Sequence, residues 1–267
     1  MLRGGLPRSM AVGIAALVLA ALIPASCAWA GPVDVSPAQR DQLKELASET
    51  REKTRQVRDE VVRARTDLFQ TYRSYDLDER KAKAAIERVG KSQLALLNLH
   101  LDNQIALRRI LNESQFSEFC RKMSRHSGGA EAGMFSPHKE GPLEGLPDKD
   151  MLEAIGATPD QGRRIRQFGD SGERKTIIDK LRRDSRQIIE LYSRYDLDVA
   201  AARKLIDSIH QSQMDLAAAN HKSQQALRSV LTEQQFDRLQ EEISKRIKAR
   251  EHKGPFHRFG GRRDGPR

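Results

Sequence analysis

The chain is poor in aromatic residues, which make up 5% of its 267 positions, and it holds a single tryptophan and two cysteines. So few aromatic and β-branched residues argue against a large sheet. Two cysteines are too few for a disulfide-stapled scaffold. Proline is absent from Ala38 to Ser136 and again from Asp160 to Gly254. No apolar run reaches the roughly 20 residues needed to span a bilayer, the longest being Met10 to Ile23. There is no phosphate-cradling glycine loop, no nucleophile elbow and no His-Glu metalloprotease helix, so the expectation is a protein that is not an enzyme. What remains is 31% charged residues and a mean hydropathy of -0.66, the profile of a charge-rich, all-α protein of one or two domains.

Arg3 and Arg8 precede the apolar run, and Ala28-Trp29-Ala30 follows it. This order of basic, apolar and small residues reads as an export signal over residues 1–30, cleaved near Ala30, which predicts a periplasmic protein. Lipid attachment at Cys27 is the alternative, with Pro24-Ala25-Ser26 a poor match to such a site. Cleavage leaves Cys120 without an intrachain partner, so it either stays buried beside Phe116 and Phe119 or links two chains.

Of the net charge of +10, the leader carries +2 and the residues from Lys245 onward carry +7, so residues 31–244 hold only +1. A nucleic-acid-binding body needs a basic stripe on its folded surface, so nucleic acid is not expected as a partner. The basic tail, residues 251–267, reads either as a solvated end or as a contact for an anionic membrane surface.

Displacing the sequence by 120 residues aligns Tyr72–Phe116 with Tyr192–Phe236 without a gap, and 18 of the 45 positions are identical. The shared residues include Tyr72/Tyr192, Tyr75-Asp76-Leu77-Asp78/Tyr195-Asp196-Leu197-Asp198, Ala106-Leu107-Arg108/Ala226-Leu227-Arg228 and Phe116/Phe236. The chain therefore divides into a first module, 31–126, a linker, 127–150, and a second module, 151–250. The linker has five glycines and three prolines.

Within each module the apolar positions keep a helical period: Ile86, Val89, Leu96, Leu107 and Leu111 form one face, and Ile206, Ile209, Leu216, Leu227 and Leu231 repeat it. Leu43, Leu46, Val57, Val61, Leu68 and Tyr72 mark a long helix upstream, and the Asp residues of Tyr-Asp-Leu-Asp suit a turn and the next N-cap better than an acid/base pair. Each module is predicted to be a long helical hairpin. A hydroxyl or amide residue followed three positions later by Gln occurs as Ser36/Gln39, Asn112/Gln115, Thr158/Gln161 and Thr232/Gln235. That spacing is a capping box, with Pro37 and Pro159 at N1 where no N–H is needed.

Val35-Ser36-Pro37-Ala38-Gln39, Leu111-Asn112-Glu113-Ser114-Gln115, Ala157-Thr158-Pro159-Asp160-Gln161 and Leu231-Thr232-Glu233-Gln234-Gln235 resemble the LTxxQ motifs of the Spy/CpxP periplasmic chaperones and of related heavy-metal resistance proteins. Only the last fits the motif fully. The resemblance implies two tandem modules of an ATP-independent chaperone for unfolded envelope proteins, with one chain supplying both halves of a cradle as a monomeric pseudo-dimer, or else a homodimer. A chaperone surface has to be amphipathic and adaptable, and the polar positions Gln93, Gln104 and Arg108, with Gln213, Gln224 and Arg228, suit client binding; the alternative is that they are ordinary polar positions on a coiled-coil-like seam. Docking on a sensor kinase is a further possibility for relatives of this kind. The alternative function is binding of a divalent transition metal, for which His210, His221, His252 and His257 are the candidates. His210 and His221 lie eleven residues apart, about 16 Å along one helix, and cannot share an ion without help from another segment.

Overall fold

The computed structural model describes residues 34–127, 146–169 and 172–252. The leader, residues 128–145 of the linker, and the tail with His257 lie outside the described residues. Those residues form helices and no strands, as an all-α fold requires.

Helix α1, Pro37–Tyr72, opens on the Ser36/Gln39 capping box with Pro37 in its first turn. It turns back through residues 73–78 into α2, Glu79–Ile110, whose N-cap is Asp78 accepting from the Lys81 amide. A third helix, α3, Glu113–Ser127, follows the second motif. Antiparallel register in the first hairpin is marked by Gln39 against Gln115, Thr50 against Asn103 and Asp67 against Arg88. Buried alanines, Ala64, Ala82 and Ala85, let the helices of the module approach closely.

The second module repeats this plan. Its first arm comprises α5, Pro159–Gly169, and α6, Gly172–Ser193, with residues 170 and 171 outside the described residues. α7, Val199–Val230, returns from the Asp198 N-cap, and α8, Glu233–His252, follows the fourth motif. A short helix, α4, Lys149–Ala154, precedes α5 and ends at Gly156, whose φ of +72° is the left-handed conformation that glycine adopts without a Cβ clash. Leu146, Met151, Leu152 and Ile155 pack with Ile165, Leu231, Leu239 and Ile243. Leu146 alone of these comes from the stretch read as linker; Met151, Leu152 and Ile155 lie within the second module as read from the sequence.

The two hairpins lie against each other. Leu101, with Leu94, Leu97 and Ile105 of α2, packs against Leu181, Ile188 and Tyr192 of α6 and Ile206 and Ile209 of α7. Each such buried aliphatic side chain contributes about 1.5–3 kcal/mol. At the crossing of α2 and α7, the Gly90 position faces the Met214 thioether and the His210 ring. Positions 90 and 210 are equivalent in the repeat, so a pseudo-two-fold axis passes close to them.

Candidate functional site

The four capping boxes all form, each with its two reciprocal bonds: Gln39 and Ser36, Gln115 and Asn112, Gln161 and Thr158, Gln235 and Thr232. The geometry goes further than capping. Gln39 Nε2 donates to the Ile110 carbonyl at 2.7 Å and to Gln115 Oε1 at 3.0 Å, while Gln115 Nε2 donates to the Asp34 carbonyl at 2.6 Å and to Gln39 Oε1 at 3.3 Å. Gln161 and Gln235 repeat the arrangement through the carbonyls of Val230 and Gly156. Each amide thus spends both N–H groups and both carbonyl lone pairs. A carboxylate could not replace it, since a carboxylate donates nothing. The motifs therefore close the open end of each hairpin as well as starting helices.

The turn of each hairpin is gripped by the motif-bearing end of the other. Arg228 of the second module donates to the carbonyls of Tyr72 at 2.7 Å, Ser74 at 2.8 Å and Tyr75 at 3.0 Å, the exposed C-terminal acceptors of α1 and its turn. In return the Tyr75 hydroxyl donates to the carbonyls of Arg228 and Leu231 at the end of α7, both at 3.1 Å. The mirror contact has Arg108 on the carbonyls of Tyr192, Arg194 and Tyr195, and the Tyr195 hydroxyl on Leu111 at 3.1 Å. Neither α1 nor α6 has a basic residue in its last turn. The cation that favours a helix C-terminus is supplied from the other module.

Each arginine is held flat for this task. Gln104 offers its backbone carbonyl and Oε1 to Arg108 at 2.6 and 2.9 Å, and the guanidinium lies 4.3 Å from the Phe116 ring; Gln224 and Phe236 do the same for Arg228, at 4.4 Å from the ring. Phe116 and Tyr195, and likewise Phe236 and Tyr75, are in ring contact. Burial pushes the pKa of both guanidiniums down. Gln104, Arg108, Gln224 and Arg228, expected on a client-facing surface, are therefore committed to the contact between hairpins. Gln93 and Gln213 are half-buried one turn beyond the crossing, and Gln213 Oε1 is buried with no hydrogen-bond partner.

The grips differ beside these shared parts. In the first, His221 Nδ1 lies 3.0 Å from the Tyr72 hydroxyl and Nε2 lies 2.8 Å from Glu79, which also accepts from Gln225 at 2.7 Å. Hydrogen bonds from Gln225 and His221 pull the Glu79 pKa down. In the second, Leu101, Val199 and Ile105 stand at the positions of His221, Glu79 and Gln225. His100 instead packs edge-on to Tyr192 at 4.9 Å, and both its Nδ1 and the Tyr192 hydroxyl are buried without a hydrogen-bond partner. Burial, with the Arg108 charge as a smaller cause, lowers the His100 pKa to about 4.

Of the candidate metal ligands, His221 has both ring nitrogens engaged, and His210 Nδ1 is buried without a hydrogen-bond partner. His252 ends α8, its side chain outside the described residues. Among the described residues no three His, Cys, Asp or Glu side chains converge as a metal site would require. Cys120 is half-buried beside the cluster of Leu43, Leu107, Leu111 and Phe116. Asp78 and Asp198 cap helices, the role expected of them.

A groove of about 440 Å³ lies between α6 and α7, floored by Ile177, Ala218 and Ala219 and edged by Glu173, Asp215 and Lys222. It opens where Ala217-Ala218-Ala219 stands in place of the first module's Leu97-Asn98-Leu99. The pairing of the motifs and the grips were missed in the sequence, although one signal was present: the identities shared by the modules concentrate on Tyr72, Tyr75, Gln104, Arg108, Leu111 and Phe116, which are more than a solitary hairpin needs. Comparison with protein-family models, with curated proteins and with solved structures yields no match.

Proposed function

We infer that the chain is an ATP-independent holding protein of the cell envelope, which binds unfolding proteins on the amphipathic outside of its paired hairpins. The observation that carries this reading is the pair of reciprocal grips, which join two hairpins in one chain and would give clients a broad helical surface without a partner subunit. Half-buried Leu96 and Leu99 alternate on α2 with exposed Ala95 and Asn98. Such a surface offers apolar contact in small parcels, which favours weak and reversible capture over tight sequestration. The alanine-floored groove on the second module adds a place for a short apolar segment with charged neighbours. The resemblance of the four motifs to LTxxQ supports the same reading, and the basic and apolar leader supports export.

The test is suppression of aggregation. The mature chain, residues 31–267, at equimolar ratio and without ATP, is expected to slow aggregation of several unrelated chemically denatured proteins. If every client aggregates at its unassisted rate, the holding function is wrong.

A further inference from the structure

We propose that acid unfastens one of the two grips and spares the other: charging His100 expels the Tyr192–Tyr195 turn from the end of α2 and bares the apolar contact between α2 and α6. His100 is 7% exposed, its Nδ1 has no hydrogen-bond partner, and its ring packs edge-on to the ring of Tyr192, whose buried hydroxyl is itself unpartnered. The charged group that faces it is a cation, Arg108, whose contacts with the carbonyls of Tyr192, Arg194 and Tyr195 form the grip. Asp102 acts on the Tyr192 phenol. An imidazolium placed there gains no carboxylate and repels the arginine, so opening to water is the way to accommodate the proton.

The other grip has the opposite logic. The His221 ring has the Tyr72 hydroxyl at Nδ1 and the Glu79 carboxylate at Nε2, with Arg228 beyond Tyr72 as the opposing cation. The carboxylate that the His100 ring lacks thus already stands beside His221. Release of the His100 side uncovers Leu94, Leu97, Leu101 and Ile105 on α2 and Leu181 and Ile188 on α6.

Hydrogen exchange of the mature chain at pH 7 and pH 5, corrected for intrinsic exchange rates, tests this. With His100 near 4 when closed and near 6.5 when open, opening at residues 192–198 is expected to rise about 20-fold at pH 5, while residues 72–78 change by less than about threefold. His100→Leu is expected to remove the rise. Equal acceleration at both turns, no acceleration, or an unaltered rise in His100→Leu overturns the proposal. Should that variant fail to fold, imidazole proton NMR on the unaltered chain decides: a His100 titration near 4 supports the device, and one near 6.5 overturns it.

Discussion

The two grips share every group that bears on helix ends, the arginine, the tyrosine hydroxyl, the supporting glutamine and the phenylalanine under the guanidinium, yet differ in what lies behind them. One is backed by a hydrogen-bonded chain from Tyr72 through His221 to the half-exposed Glu79. The other is backed by leucine, valine and isoleucine, with His100 and Tyr192 sealed in and unpartnered. The parts that unsatisfied backbone carbonyls demand have stayed the same in both modules. The parts that only fill space have been free to drift, and drift has given the two ends different responses to protons.

Several measurements can break this comparison. The largest effect belongs to the arginines: Arg108→Ala or Arg228→Ala leaves helix-end carbonyls without their charged donor and should each cost about 2–4 kcal/mol in denaturant unfolding. Lysine at either position should recover only part, because it lacks the planar fork. If either alanine variant costs under about 0.5 kcal/mol, the grips do not hold the modules together.

The next effect is the acid response of stability. The His100 pKa is depressed to about 4 against the ordinary 6.5, so its contribution is complete above about pH 6.5 and is lost as pH falls toward 4. The loss amounts to about 3 kcal/mol at the low end of that window. Denaturation of His100→Leu across the same range should show a flatter profile; an identical slope would assign the acid sensitivity to other groups.

Gln39→Glu should cost about 1–2 kcal/mol at pH 7, since it removes two donors and sets a carboxylate against the Ile110 carbonyl and Gln115 Oε1. The penalty should shrink once the new carboxyl is protonated, near pH 4. The smallest effect separates the grips most directly. Tyr72→Phe loses a bond to His221 and should cost about 1 kcal/mol, whereas Tyr192→Phe removes an unpartnered buried hydroxyl and should be neutral or stabilising. Equal losses at both positions would mean that the Tyr192 hydroxyl has found a partner, such as a buried water.

Much of the architecture was legible before the structure. The helical periods, the Asp78 and Asp198 caps and the four capping boxes depend on residues close in sequence, and local rules read them well. The short α4 was less visible, because nothing in the first module corresponds to it and it borders a stretch rich in glycine and proline. The destination of Arg108 and Arg228 was hidden for a different reason. An arginine on a helix face reads as a solvent-facing charge until the carbonyls 84 residues away in sequence come into view. The Gln–Gln pairing was hidden in the same way, since a capping box already explains both residues.

The crossing point carries a consequence for how the chain can assemble. Gly90 is a notch, and the equivalent position in the second half holds the His210 ring, with Met214 beside it filling the notch. Two first halves laid together would face notch to notch and leave a void; two second halves would press imidazole onto imidazole. Neither half is a good mate for itself, so the two halves fit as lock and key, and cutting the chain in two should yield fragments that seek each other in preference to their own kind.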